Sequence, residues 1–536
     1  MKARRLPTAT RAFGNGTMPR PQLPLPDSPG GRCCGSGHAL GRLIQGGSHK
    51  RVVECTPPSK MKPSSVLVAL LFASASALRL PSLPSRPSFK RTAGIKPLRA
   101  SGLYDPANVP NAEECDISQP TNCGEPDGPF AGITRTLNEL QEKGFGAAAL
   151  LGATAVSLSL ANGPSSAWWC GLWESPLGPA IGGHALSARM WVNEGLMGVF
   201  FFLVGLEIKE ELRHGALTSV KKAALPAIAA LGGMVTPMAV YAAAQGFLPV
   251  AARSLSGLAV PMATDIAFAM AIFGLFRSKM PASSSAFLLT LATVDDFGAI
   301  FVLATCFAAN VSLGFLGLAS ALTAALGWIG CGPRKCNDAR VFTAGGVGIW
   351  WSLLRAGVSA EVAGVLAALC VSTTAEGPPG AVDDPLAERM IRRLAPLSTF
   401  GIMPLFALAN TGIPLMGVMK GVSGPGAGAA AGIAAGLVLG KPLGIFGFTW
   451  LATKLNIADM PTGMGNNHLS IVSMLGAIGF TMCLLLTEVA IPAPIQALPK
   501  LSVLVASTAA CVAAAAWMSK LPDLKQRRAQ PGDLYG

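Results

Sequence analysis

The stretch Leu291–Phe307, LATVDDFGAIFVLATCF, is an apolar run of the kind that crosses a bilayer, and it carries Asp295 and Asp296 side by side near its middle. An ionised side chain at the centre of a membrane helix costs about 2.5–3.5 kcal/mol, so two adjacent carboxylates there demand a reason. Two more charges stand at comparable depth: Asp265, in Pro261–Phe276 (PMATDIAFAMAIFGLF), and Lys441, in Leu439–Ile445 (LGKPLGI). Together the four cost on the order of 10 kcal/mol before compensation. An ion pair between Lys441 and one aspartate would lock two helices together, yet one lysine cannot neutralise three carboxylates. The surplus negative charge calls for a mobile cation. Neighbouring helix positions point about 100° apart, so one aspartate can turn to a protein cation while the other lines a water-filled cavity. Carboxylates near one another and out of bulk water can hold a proton in one condition and a metal cation in another.

Composition agrees with a membrane setting. Of 536 residues 51% are hydrophobic and 13% charged, with a mean hydropathy of +0.48, too apolar for a soluble chain of this size. The formal charge of +14 suggests nucleic acid until it is located. Residues 1–103 hold 17 Lys or Arg against 2 Asp or Glu, and the remainder holds 25 against 26. The excess lies in the leader, and no nucleic-acid partner is expected. The twelve cysteines are scattered; Cys331 and Cys336 flank a basic loop without a histidine to complete a metal set, and Cys115 and Cys123 are free to form a disulfide but not compelled to. No cofactor is expected.

Residues 1–60, rich in Pro, Gly and Arg, read as a disordered leader or an over-extended reading frame. Residues 61–103 read as targeting: Lys62 is a basic n-region, Val66–Ala73 an apolar h-region too short to span a membrane, and Ala75-Ser76-Ala77 a cleavage site, followed by six basic residues with no acid. A signal peptide followed by a transit peptide resembles the bipartite leader of algae with secondary plastids, which implies a plastid membrane (inner envelope or thylakoid). Simple secretion to the plasma membrane is the plainer alternative. Residues 104–130 are acidic and read as disordered, 131–521 as the membrane domain, and 522–536 as a basic tail.

From residue 131 twelve apolar segments are expected, centred near Leu151, Phe201, Leu231, Met270, Ala299, Ala319, Gly348, Leu366, Leu405, Leu437, Leu475 and Val505. Thr236-Pro237 and Met403-Pro404 predict kinks. Seventeen basic residues on the even-numbered loops and C-terminal tail, against five on the odd loops, orient both ends to the cytoplasm, or to the stroma of a plastid. Two spans read as broken: the fourth at Pro261 and Thr264-Asp265, the eleventh in Met474–Leu486 (MLGAIGFTMCLLL) at Gly476, Gly479 and Thr481. Such pairs mark midplane binding sites in secondary transporters. Their facing helix ends place Asp265 beside positive N-termini and Lys441 beside negative C-termini.

Six blocks in order carry a resemblance: Val192–Leu212 (VNEGLMGVFFFLVGLEIKEEL), Ala263–Ala269 (ATDIAFA), Thr293–Ile300 (TVDDFGAI), Pro404–Ile413 (PLFALANTGI), Gly440–Ile445 (GKPLGI) and Gly476–Met482 (GAIGFTM). From about Gly144 to Leu521 the chain resembles the NhaA-type sodium/proton antiporters, a family that serves as a standard example of inverted repeats. The resemblance implies an all-α polytopic protein of about twelve transmembrane helices, with inverted repeats and crossed, discontinuous helices 4 and 11. It implies exchange of two protons for one Na+ or Li+ by alternating access, in a lipid bilayer, by a protein that is commonly a homodimer. On matching positions Asp296 is the principal cation ligand and Asp295 its partner, paired with Lys441 when no ion is bound; Asp265 and Thr264 serve the helix crossing. Glu207 and Glu211 match acidic positions of an entrance funnel linked to pH response, although beside Lys209 and Arg213 they also read as a solvated helix end. The family's intramembrane Asp of the second span is Glu194 here, which keeps the charge on a longer arm and is grouped with Glu207 and Glu211 as an entrance or pH-response residue. A Glu and two His of the family pattern are Ile391, Arg392 and Ala395, and a His is Ser359, so the pH response is expected to depart from the family's steep alkaline activation.

An intramembrane aspartyl protease would need its carboxylates on separate helices, so no enzyme is expected. A sodium-coupled organic-anion symporter of similar fold is the closer alternative; it would bind sodium through polar and carbonyl groups and would not need an aspartate pair beside a lysine.

Overall fold

The computed structural model describes Leu140 and residues 145–523, apart from 182–183, 214–219, 308–310, 332–335, 374–384 and 419–423. The leader, the acidic segment with Cys115 and Cys123, and the tail beyond residue 523 lie outside the described residues.

The described chain is mostly helical. Helix α1 (Phe145–Asn162) is followed by α2 (Ser166–Glu174) and a two-stranded antiparallel sheet, β1 (Pro176–Ile181) with β2 (His184–Ser187). Then come α3 (Ala188–Arg213) and α4 (Val220–Gly246). The fourth segment is broken: a 3-10 turn at Val260–Met262, extended backbone, then α5 (Ile266–Leu275). After it run α6 (Ala282–Cys306), α7 (Leu313–Cys331), α8 (Ala339–Ala356), α9 (Val362–Cys370), α10 (Leu386–Leu397), α11 (Met403–Asn410) and α12 (Gly426–Lys454). A second broken segment, α13 (Asn466–Gly476) and α14 (Phe480–Ala490), bends by 42°, and α15 (Ala497–Ser519) closes the domain.

Each of the twelve expected centres falls within a helical segment. Seven helices among the described residues are long and apolar enough to cross a membrane, eight if the bent pair α13–α14 is one span. Leu275, Leu313, Trp328, Leu443 and Val505 stand exposed on the outer faces of these helices, as a lipid-facing surface requires.

The hairpin departs from the all-α expectation. Its strands, PLGPAI and HALS, are short, carry two prolines and show no alternation of apolar and polar residues, so nothing in them signals a strand. Of the expected kinks, Pro237 lies inside an unbroken α4, whereas Pro404 stands at the first turn of α11, just after a π-helical turn at Ser398–Ile402. The two further π-turns, Trp191–Leu196 within α3 and Gly436–Gly440 within α12, each insert a residue's worth of slack into a helix.

Small residues set the helix spacing, as in other membrane bundles. A Cβ on Gly444 of α12 would come within 2.2 Å of the Gly232 carbonyl of α4, and one on Gly364 of α9 within 2.2 Å of the Gly198 carbonyl of α3. These backbone contacts hold α12 against α4 and α9 against α3, and so place Lys441 and Glu207 where the site needs them. Helix α8 ends at Gly357, whose φ of 76° supplies the left-handed cap.

Candidate cation-binding site

The two broken segments meet at their breaks. The Asp265 N–H donates to the Ile478 carbonyl at 2.7 Å, joining the extended backbone before α5 to the turn between α13 and α14. The Asp265 carboxylate then caps two helices at once. Its Oδ1 accepts from the Phe268 N–H at 3.0 Å at the start of α5, and its Oδ2 accepts from the Thr481 N–H at 3.1 Å and hydroxyl at 2.5 Å at the start of α14. Two positive helix ends thus share one carboxylate.

Lys441 answers with the opposite sign. It is fully buried (0% exposed), and its Nζ donates to the carbonyl of Met262, the last residue of the 3-10 turn, and to Asp295 Oδ2 at 2.7 Å. The Thr264 hydroxyl lies 2.7 Å from the same Asp295 oxygen and 2.9 Å from the Gly476 carbonyl. It has one proton and can serve only one of them at a time.

Asp295 and Asp296 diverge around α6 as adjacent helix positions must. Asp295 turns to Lys441; Asp296, 1% exposed, turns to the wall of a cavity of about 600 Å³ bounded by α1, α3, α5, α6 and α10. Asp296 Oδ1 and Asp295 Oδ1 are buried with no hydrogen-bond partner among the described residues. Glu207 lines the same cavity, as do Ile391, Arg392 and Ala395, three of the positions that depart from the family pattern; Ser359 and Glu194 do not line it. Arg392 also pairs with Glu388 at 3.4 Å.

Glu207 is therefore a cavity residue rather than part of a solvated helix end. Glu211, one turn on, accepts from the Thr290 hydroxyl of α6 at 3.0 Å. Lys209, between them, is buried and donates to the carbonyls of Leu369 at 2.6 Å and Val371 at the end of α9. A cation at a helix C-terminus is favoured by the exposed carbonyl dipoles, which is why it leaves the solvent. Glu194 stands apart from this cluster, in the π-turn at the other end of α3, and accepts from the Ala360 N–H at 3.1 Å.

Three features escape a reading of the sequence. Thr481 counts there only as an interruption, but it is the partner of Asp265. Asn193 and Asn410 exchange amide hydrogen bonds at 3.2 and 2.7 Å between α3 and α11; they stand in the first and fourth of the quoted blocks, which do not show that they meet. Glu361, at the start of α9, is 2% exposed, and lies in a segment whose apolar character conceals it.

The sequence profile of the family described as Na+/H+ antiporter 1 matches residues 138–518. Similar proteins include the "Na(+)/H(+) antiporter NhaA" of Shewanella pealeana, 36% identical over 392 residues that cover 72% of this chain and 97% of the relative. The protein of that name from Yersinia enterocolitica is 37% identical over 378 residues (70% and 93%), and that of Escherichia coli K12 is 36% identical over 376 (69% and 94%). The match runs through both broken segments and every residue of the aspartate–lysine cluster, and the chain belongs to the Na+/H+ antiporter 1 family.

Proposed function

We propose that the protein is a twelve-helix secondary transporter that exchanges Na+, or Li+, for protons by alternating access about two crossed broken helices, for pH and sodium homeostasis. The observation that carries this reading is Asp296: buried, its Oδ1 without a hydrogen-bond partner among the described residues, and on the wall of a cavity of about 600 Å³. A sodium ion arriving there binds Asp296 and draws Asp295 away from Lys441. The Thr264 hydroxyl then donates to Gly476, so the junction of the broken helices keeps a bond while the site changes occupant. Protons displace the ion, and Asp295 returns to Lys441. Two protons against one sodium ion move one net charge, which makes the exchange electrogenic. The aspartate–lysine pair favours this over an organic-anion symporter, which has no need of it.

The leader at residues 61–103 supports a plastid membrane as the location. The basic loops orient the Glu207 side of the cavity to the stroma.

The test is sodium-driven proton movement in proteoliposomes of the purified protein, read with an internal pH dye. Wild type is expected to move protons when NaCl is added, and Asp296→Asn to reduce the rate to that of empty liposomes. Sodium-dependent signals that persist in the variant would place the cation elsewhere.

A second expectation concerns pH. With Ile391, Arg392 and Ala395 on the cavity wall in place of an acid and two titratable imidazoles, the rate is expected to vary gradually between about pH 6 and 9, where histidine and perturbed carboxylates titrate. A steep alkaline switch in the same liposomes would refute this.

A further inference from the structure

Two carboxylates take no part in the exchange described above. Glu194 lies in the π-turn Trp191–Leu196, about 20 Å along α3 from Glu207 at 1.5 Å per residue, and thus toward the opposite membrane face. It is half-buried; its Oε2 accepts from the Ala360 N–H at 3.1 Å and its backbone carbonyl accepts from Trp350 Nε1 at 2.8 Å. Next to Ala360 stands Glu361, 2% exposed, which makes no capping bond to α9 and whose Oε2 is buried with no hydrogen-bond partner among the described residues. The charge that bears on Glu361 is that of Glu194.

Among the described residues no cation is paired with either carboxylate. On α8, Arg355 lies over the rings of Phe315 and Trp351 at 5.1 and 5.9 Å. On α11, Asn410 is engaged with Asn193. On α3, Arg189 forms no ion pair with either carboxylate, and Lys500 of α15 pairs with Glu488 at 2.5 Å. Neither Glu194 nor Glu361 forms an ion pair among the described residues. Glu194 is bonded to the residue that precedes Glu361, and two unneutralised carboxylates brought to neighbouring positions, one of them almost wholly out of water, are not a stable arrangement.

We propose that Glu194 and Glu361 form a second proton-binding site, in which the two carboxylates hold one proton between them at the membrane face opposite the Asp296 cavity. The proton resides on Glu361 Oε2, the oxygen otherwise without a partner, and is donated to Glu194, whose charge is held by the Ala360 N–H. The length of the Glu194 arm matters here, because an aspartate would withdraw its carboxylate by about 1.5 Å, one carbon–carbon bond. The half-buried Glu194 is the route by which the proton comes and goes. Loss of the proton leaves two like charges across the α3–α9 seam, where Gly364 packs on the Gly198 carbonyl, and α3 carries the Glu207 wall of the cation cavity.

Difference infrared spectroscopy of the reconstituted full chain, titrated with pH, tests this. Glutamate, but not aspartate, is labelled with carbon-13, so glutamic-acid bands move and those of the aspartate cluster do not. A glutamic-acid carbonyl band is expected in wild type at neutral pH, unchanged by added NaCl. It is expected to disappear in Glu361→Gln and to titrate over a different pH range in Glu194→Gln, which keeps the assignment testable if either variant folds poorly. Absence of any labelled acid band that either substitution alters would overturn the site. A band removed by sodium at constant pH would overturn the assignment to a proton. The spectrum is read without any gradient, so it succeeds or fails independently of sodium–proton exchange.

Discussion

Lys441→Met is expected to be among the most destabilising single substitutions in the membrane domain. The Lys441 ammonium is fully enclosed and supports both Asp295 and the Met262 carbonyl. Replacing it with an apolar chain of similar length fills the space but leaves a buried carboxylate and a buried carbonyl without their donor. Breaking a buried pair by removing one partner costs about 3–5 kcal/mol, whereas removing both together is often close to neutral. The double variant Lys441→Met/Asp295→Asn is therefore expected to recover more than half of the lost stability, with a coupling energy of the sign a double-mutant cycle assigns to direct contact. Thermal unfolding in detergent, followed for the wild type, both single variants and the double, measures this. A single variant that melts with the wild type would show that Asp295, not Lys441, is the group that adapts. Exchange is expected to fail in Asp295→Asn and in the double variant, since stability can be restored without restoring the second carboxylate.

The part of this site that could be read in the sequence was the part governed by local rules. Asp295 and Asp296 had to diverge because a helix turns 100° per residue. Pro261 and the Gly476–Gly479 run had to interrupt their segments because neither a proline nor a glycine cluster sustains a helix cheaply. The sign of Lys441 and Asp265 relative to the breaks followed from helix dipoles. What stayed hidden depends on contacts between distant positions. Thr481 meets Asp265 across 216 residues, and Thr264 meets Gly476 across 212; no periodicity encodes such pairings. The π-turns share the apolar pattern of the helices that contain them. Lys209 is one of the seventeen basic residues counted on the even-numbered loops and Lys500 one of the five on the odd loops, since charge usually means solvent. Both are buried, one at the carbonyl end of α9 and the other against Glu488. One moves from each side of the seventeen-to-five count, and the orientation argument survives.

Asp265→Ala is expected to damage the protein through its backbone rather than through its charge balance. Asp265 satisfies the Phe268 and Thr481 N–H groups, which open α5 and α14 in a buried junction. Truncation orphans both donors, at about 1–3 kcal/mol each, and releases the Thr481 hydroxyl as well. Asp265→Asn keeps one carbonyl oxygen, which can cap one helix but not both, and its amide hydrogens face donors already in place. The expected order of stability is therefore wild type, then Asn, then Ala, with Asn losing roughly half as much as Ala. The Phe268 and Thr481 amides are expected to exchange hydrogen faster in both variants, while amides in the middle of α6 do not change. The same order is expected for apparent sodium affinity, because the junction Asp265 holds is the one that presents Thr264 to Asp295. If Asn and Ala prove equally unstable, the double cap is not what Asp265 contributes, and its negative charge as such must be what the helix junction requires.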